Sequence, residues 1–340
     1  MSWSSYHSLL HKTLKQQDLL PVNSRLLIAV SGGQDSLCLA KLILDLQPKW
    51  YWQIAIAHCD HGWELDQGLA DHVTNICHNW GVKLYLEKAQ IKLKETEAFA
   101  RKWRYQILTK IAVENQFNYI LTGHTLSDRS ETLLYNLMRG SGLEGLSALN
   151  WSRNLTEEII LIRPLLNFSR NDTLAFCQQF NLAIWEDPYN QEKKFTRNKI
   201  RLDLIPYLQA NFNPKIEQHL AQTAEILKAD REYLETQTQQ LFNLAITNNY
   251  QSLKRDLLSN QPLSLQRRVI KLFLAQGLKK MPNFEQIEAV KNLINAPNKS
   301  RTSTLIKNII IAVEHDLISI VNLSESNNLD ENSKNDYNCP

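Results

Sequence analysis

The sequence predicts an α/β fold: a parallel sheet with helices on both faces, followed by a smaller, mainly helical domain that closes with a β-hairpin. Three observations predict it. Short apolar runs alternate with helix-length segments through the first third of the chain, the pattern of strands joined by crossover helices. A Gly-Gly turn, SGGQDS at 31–36, stands between the first apolar run and the helical stretch LCLAKLILDL. Nine of the 10 glycines lie before residue 146. Glycine serves where backbone turns with positive φ or comes close to a ligand, so the site is expected in that part of the chain.

Leu26 to Val30, Ile54 to His58, Val82 to Leu86 and Tyr119 to Thr122 read as buried strands. Ligands bind at the carboxyl ends of such strands. Three segments obey that rule: SGGQDS after Val30, HCDHG after Ala57, and GHTLSDRSE after Thr122. A further strand is expected at Ile159 to Ile162, and the Pro-punctuated stretch from Arg163 to Pro214 reads as the exit from this domain. Beyond it, Ile216, Leu220, Ala224, Leu227, Leu234 and Leu241 recur at helical spacing, and shorter helical patterns follow at 264–276 and 284–294. STLIKNIIIAVEHDLISIV reads as two strands with a turn near His315 and Asp316. The expected domains are therefore 1–213, 214–322 and a polar, disordered tail at 323–340.

Of 340 residues, 43% are hydrophobic and 21% charged, which excludes a disordered or fibrous chain. No run approaches the about 18 apolar residues of a membrane span, and the start lacks a signal-peptide core, so a soluble cytoplasmic protein is expected. Cys38, Cys59, Cys77, Cys177 and Cys339 form no C-x-x-C pair. That argues against a disulfide framework, a zinc ribbon and a dithiol centre, and for buried free thiols. A net charge of +3 announces no nucleic-acid partner by its sum, so its distribution matters more.

In SGGQDS the turn frees backbone N–H groups and the following helix adds its positive end, together an anion cradle. No G-K-[ST] follows, so it is not a Walker A loop. Ser31 and Ser36 add hydroxyl donors, and Asp35 among phosphates makes sense chiefly as a ligand for Mg²⁺; the alternative is a helix start capped by Asp35 or Ser36. Asp128 and Glu131, three apart, share one helix face and repel, as a pair that awaits a cation; an acid-rich helix start is the alternative. His58, Asp60 and His61 lack a second ligand group at metal-binding spacing. Arg101 and Arg104 face one way on a helical pattern, as a solvated face or a phosphate contact. RGSGLEGL at 139–146 has three glycines in six residues, suited to a mobile loop over a cleft. Lys193, Lys194, Arg197, Lys199 and Arg201 place five cations in nine residues, and basic residues outnumber acidic ones seven to one over 254–280. Together they read as a surface for RNA phosphates, with Phe195 as a stacking platform.

SGGQDS resembles the signature of the PP-loop ATP pyrophosphatases, a Rossmann-like superfamily. HCDHG, E-x-x-A-R-x-x-R-Y from Glu97 to Tyr105, TGHTLSDRSET, RGSGLEGL, RPLL at 163–166, WEDPYN and FTRNKIRLDLIP follow in the order and spacing of the tRNA(Ile)-lysidine synthetases, over about residues 25–206. The resemblance implies ATP binding by Ser31, Gly32, Gly33, Gln34, Asp35 and Ser36, with His58 beside the adenine and Asp35 on Mg²⁺ through the phosphates. It implies lysine binding by Asp128 and Glu131, and catalytic roles for Asp35, His124, Arg104 and Arg197, Arg104 neutralising the triphosphate. It makes the run from Lys193 to Arg201 a tRNA contact. Three positions depart from the family pattern: Arg129 stands where glutamine is usual, and Trp63-Glu64 where leucine and arginine are usual.

The implied reaction ligates free L-lysine to C2 of the wobble cytidine in the CAU anticodon of tRNA(Ile), through an adenylated tRNA, with AMP and pyrophosphate released. No general base for the lysine is identified, and the oligomeric state stays open, a homodimer being one option. A tRNA thiolase is the nearest competitor, against which the absence of C-x-x-C speaks. An amidotransferase would need an ammonia-producing domain. A non-catalytic nucleotide- or RNA-binding protein would have no reason for Asp128 and Glu131.

Overall fold

The computed structural model describes residues 3–63, 66–89, 97–147, 149–186, 196–306 and 308–323. They belong to two compact units, Met1–Lys228 and Ala229–Pro340. Among the described residues no helix is long and apolar enough to cross a membrane.

The first unit is built on strands β1 (Arg25–Ala29), β2 (Gln53–Asp60), β3 (Lys83–Lys88), β4 (Tyr119–Leu121), β5 (Ser152–Asn154) and β6 (Ile160–Ile162), in the sheet order β3-β2-β1-β4-β6-β5. All neighbours are parallel except β5, which returns antiparallel on β6. That edge strand, Ser-Arg-Asn and wholly exposed, carries no apolar signal in the sequence. Helices α1 (Ser5–Gln16), α2 (Gln34–Trp50), α3 (Leu69–Trp80), α4 (Glu97–Glu114), α5 (Leu126–Met138), α6 (Leu143–Leu146) and α7 (Arg170–Gln179) complete the body. Alternation along β1 sorts the faces: Leu26 and Ile28 enter the core with α1, α2 and α7, while Leu27 packs with Leu108, Ile111 and Ala112 of α4.

Three expectations need correction. β3 is only half-buried, because it is an edge strand with a single neighbour. The stretch after Arg163 does not leave the domain: Leu165, Leu166, Phe168, Phe176 and Cys177 are buried in the first core, where α7 packs on α2. The second half of the glycine-rich segment folds as α6, with Asn136 Nδ2 donating to the Gly145 carbonyl at 2.7 Å, while residues 139–142 form the turn and loop before it.

After α7 come α8 (Thr196–Lys199), a π-helical turn (Ile200–Leu204), α9 (Ile205–Asn211) and the 30-residue α10 (Ile216–Ala245). Leu220 and Ala224 of α10 pack on Leu133 of α5, which carries the first unit to Lys228 instead of 213. The second unit holds β7 (Ile246–Thr247), β8 (Ser252–Lys254), α11 (Asp256–Ser259), α12 (Leu263–Leu278), α13 (Phe284–Lys291), β9 (Ile309–Glu314) and β10 (Leu317–Asn322). Its antiparallel sheet, β7-β8-β10-β9, includes the expected hairpin with its turn at His315 and Asp316. β7 and β8 extend it, too short to be read from period-2 alternation. Val269, Ile270, Phe273 and Leu274 of α12 fill its core. The tail from 324 onward lies outside the described residues.

Candidate active site

The carboxyl ends of β1, β2 and β4 open into a cleft of about 850 Å³ within the first unit. Its floor is the turn between β1 and α2. Gly32 has φ +84°, and a Cβ there would come within 2.5 Å of Leu69 Cδ1. The Gly32 carbonyl accepts a 3.0 Å hydrogen bond from the Trp185 amide, which closes the turn from above. Gly33 is the N-cap of α2 and no side chain caps it, so the first amides of the helix stay available to an anion. Ser36 Oγ accepts from the Ser31 amide at 3.1 Å and donates to the Gly33 carbonyl at 2.9 Å. Neither Asp35 nor Ser36 serves as the cap. Gly123, after β4, lets its loop touch the first turn of α2: a Cβ there would sit 2.8 Å from the Asp35 carbonyl oxygen.

Above this turn stands a cluster of alternating charge. Asp128 occupies two roles, since its Oδ2 caps α5 by accepting from Thr125 N and Oγ1 at 2.8 and 2.9 Å, while Oδ1 faces Arg201 at 3.5 Å and Arg170 at 3.9 Å. The acid-rich helix start and the cation-seeking pair are thus both realised. Glu131 receives a bidentate Arg201 at 2.7 and 2.8 Å. Asp35 accepts from Thr173 Oγ1 at 2.5 Å and faces Arg170 at 3.4 Å. Burial pushes Asp35 above the usual carboxylate range, against the pull of Arg170. Burial acts the same way on Asp128, but Arg170, the Thr125 amide and Arg201 hold that carboxyl down. Burial also raises Glu131, opposed by Arg201, and the fork geometry is that of an ionised pair.

Three neutral histidines line the cleft. His58 holds the Val30 carbonyl through Nδ1 at 2.8 Å, and burial lowers its pKa. His61, stacked on Trp63 with centroids 5.0 Å apart, is lowered to about 4 by burial and Arg104. His124, 2.9 Å from Thr122 Oγ1, is lowered to about 3 by burial, an effect that Arg163, Arg101 and Arg104 deepen and Asp128 opposes.

Ser31, Gly33, Gln34, Asp35, Ser36, His58, Arg104, His124, Asp128, Glu131, Arg197 and Arg201 all line the cleft. Gln34 also ties α2 to α7, donating to the Arg170 carbonyl at 2.9 Å and to Thr173 Oγ1 at 3.0 Å. Arg201, expected on the RNA surface, is instead committed to Glu131, because the π-helical turn points it inward. Lys199 is exposed and outside the cleft lining. Lys193, Lys194 and Phe195 lie outside the described residues. Sequence reasoning missed Arg170 and Thr173, and gave Trp185, the first residue of WEDPYN, no role of its own. A signal for the first was present: Ser169 and Asp172 form a capping box, which places Arg170 at the first helical position. Among the described residues no group of three or more His, Cys, Asp or Glu side chains forms a metal cluster.

Residues 5–208 match the family model of the PP-loop domain, and residues 253–308 that of the TilS substrate binding domain. The chain is 54% identical over 317 residues to a tRNA(Ile)-lysidine synthase of Nostoc sp. strain PCC 7120, covering 89% of this chain and 92% of that protein. It is 48% identical over 327 residues to that of Synechocystis sp. strain PCC 6803, covering 94% and 99%. Among solved structures, U34-tRNA thiolase NcsA from Methanococcus maripaludis superposes with a TM-score of 0.55 at 20% identity, over 66% of this chain and 78% of that one, a likeness of fold.

Proposed function

The chain belongs to the tRNA(Ile)-lysidine synthases, ATP-using enzymes that modify tRNA, and we propose the following division of labour for its cleft. The enzyme ligates free L-lysine to C2 of the wobble cytidine in the CAU anticodon of tRNA(Ile), through an adenylated tRNA, and releases AMP and pyrophosphate. A pyrimidine ring oxygen leaves poorly; as an adenylate it departs as AMP. The uncapped amides of α2, with Ser31 and Ser36, hold the phosphates that leave as pyrophosphate. Arg104 and Arg197, both in the cleft lining, neutralise the developing charge.

Asp35 and Asp128 are near enough for Asp128 to raise the pKa of Asp35, and both face Arg170. Asp35, within the phosphate turn, suits Mg²⁺, which takes one or two carboxylates and completes its shell with phosphate and water. The ion would supply charge neutralisation on the phosphates.

The observation that carries the amino-acid half is the alternation of Glu131, Arg201, Asp128 and Arg170 beside the phosphate turn. A zwitterionic amino acid presents ammonium groups to the carboxylates and its carboxylate to a guanidinium, so this set complements lysine. His124, held near 3, is a poor base; its neutral ring serves as a hydrogen-bonding partner for the reacting base. The second unit, which holds the matched substrate binding domain, positions the tRNA. Sulfur delivery is disfavoured, since burial pushes the Cys59 thiol in the cleft lining up to about 12 and leaves it protonated.

Pyrophosphate release in the presence of tRNA alone, lysine alone, or both is the test. Release that requires tRNA, with lysidine formed only when lysine is added, supports the reading. Release indifferent to tRNA overturns it.

A further inference from the structure

Three arginines meet around one tyrosine beside the cleft with no ion pair among the described residues: Arg101 on α4, Arg153 on β5, and Arg163 just after β6. Tyr105 is their shared centre. Arg153 lies over its ring at 5.3 Å from the centroid and Arg101 at 5.7 Å. Arg163, 2% exposed, lies beside Tyr105 and donates from Nη1 to the Asn150 carbonyl at 2.7 Å. Its Nε is buried with no hydrogen-bond partner. Burial lowers the pKa of Arg163, and Arg153 and Arg101 lower it further, against Tyr105. Uncompensated positive charge in a partly buried setting is costly, and an anion brought from outside relieves it.

We propose that Arg101 and Arg153, stacked on Tyr105 and backed by Arg163, form a phosphodiester site that grips the RNA strand beside the target nucleotide. This rests on tRNA being the substrate. Two placements separate the site from the nucleotide turn. Arg163 follows β6 and Arg153 lies on β5, two and three strands from β1 in the sheet order, or about 10 to 14 Å at 4.7–4.9 Å per strand. Arg101 and Tyr105 nevertheless line the cleft, so a strand seated there delivers its base to the reacting centre. Phosphate contacts of this kind fix register and carry no base information. A guanidinium is planar and offers two-pronged contact to phosphate oxygens.

The test measures tRNA affinity by fluorescence anisotropy across a salt series, and ATP affinity by calorimetry, for the full chain and for Arg153→Ala, Arg153→Lys and Arg101→Ala. Arg153 is exposed on an edge strand, so its truncation leaves the core untouched, and a melting curve checks this. Arg153→Ala is expected to weaken tRNA binding and flatten the log–log salt slope by about 0.7 to 0.9, one phosphate contact, with ATP binding unchanged. Arg153→Lys restores the slope, because the charge remains. An unaltered slope in both alanine variants overturns the site. A parallel loss of ATP affinity with an unaltered tRNA slope assigns the cluster to the nucleotide and also overturns it. Should the unmodified chain bind no tRNA at all, the substrate reading fails instead, which distinguishes the two.

Discussion

The phosphate turn and the charged cluster above it occupy one cleft but are made in opposite ways. The turn is local. Six consecutive residues, Ser31 to Ser36, create it, and its geometry follows from Gly32 at φ +84° and from the Ser36 hydroxyl closing on the Ser31 amide and the Gly33 carbonyl. The cluster is assembled from α2, α5, α7 and the π-helical turn, so that Asp35 finds Arg170 135 residues later and Glu131 finds Arg201 70 residues later. A local site tolerates changes elsewhere in the fold; an assembled one depends on every packing contact that sets its members at hydrogen-bond distance.

The largest effect is expected where the two regions touch. Asp35→Ala removes a carboxylate facing the phosphates, and tRNA-dependent pyrophosphate release should fall by about 10² to 10³ or more, as for a lost electrostatic group at a reacting centre. Near-normal turnover with an unchanged melting curve would reject the role given to Asp35. Gly123→Ala should come close to it, since the new methyl meets the Asp35 backbone at 2.8 Å and forces the loop and α2 apart.

Next comes the assembled cluster alone. The double variant Asp128→Asn, Glu131→Gln removes attraction for the lysine ammonium worth about 1 to 4 kcal/mol per close pair. The KM for lysine should rise strongly, while ATP binding changes little and adenylated tRNA accumulates. Loss of ATP binding with a normal lysine dependence would place these carboxylates in the nucleotide site.

A smaller effect tests the support behind the cluster. Arg129, buried on the opposite face of α5 and departing from the family's usual glutamine, pairs with Glu225 at 2.5 Å, and Trp151 donates to the same carboxylate at 3.2 Å. Glu225→Gln leaves Arg129 buried beside a neutral amide. Because Glu225 is 41% exposed, the loss should be about 1 to 2 kcal/mol, below that of a fully buried pair. Thermal unfolding measures it, and an unchanged midpoint would show that the pair is silent.

The smallest effect expected on turnover near neutrality concerns pH. Folded His61 titrates near 4 and His124 near 3, against the ordinary 6.5. Between those values the unfolded chain binds more protons, so their contribution to stability is complete above about 6.5 and is lost as the pH falls toward 4. Turnover should therefore show no histidine limb near 6.5. A limb there that disappears in a variant of either histidine would mean that the ring is charged in the working enzyme.

Legibility in the sequence followed the same division. The parallel strands, the phosphate turn, α10 and the terminal hairpin were readable because period, glycine placement and turn residues act within a few positions of one another. Asp128 and Glu131 were readable as a pair because helix geometry puts residues three apart on one face. Their partner was not. Arg201 sits in a run of cations whose solvated and inward-facing members look alike in one dimension, and only the π-helical turn after α8 points this one at Glu131.

What the sequence determined by itself was the chemistry available: an anion cradle, two carboxylates, histidines, many arginines. Tertiary structure alone decided which charges neutralise one another. α7, read as the way out of the domain, folds back onto α2 to bury Phe168, Phe176 and Cys177, and in doing so it sets Arg170 between Asp35 and Asp128. The exposed strand β5 likewise delivers Arg153 to Tyr105 with no periodic signal of its own. The physical reason is common to both: hydrophobic burial and strand pairing choose the long-range partners, and the charged side chains carried along have no say in the sequence pattern that announces them.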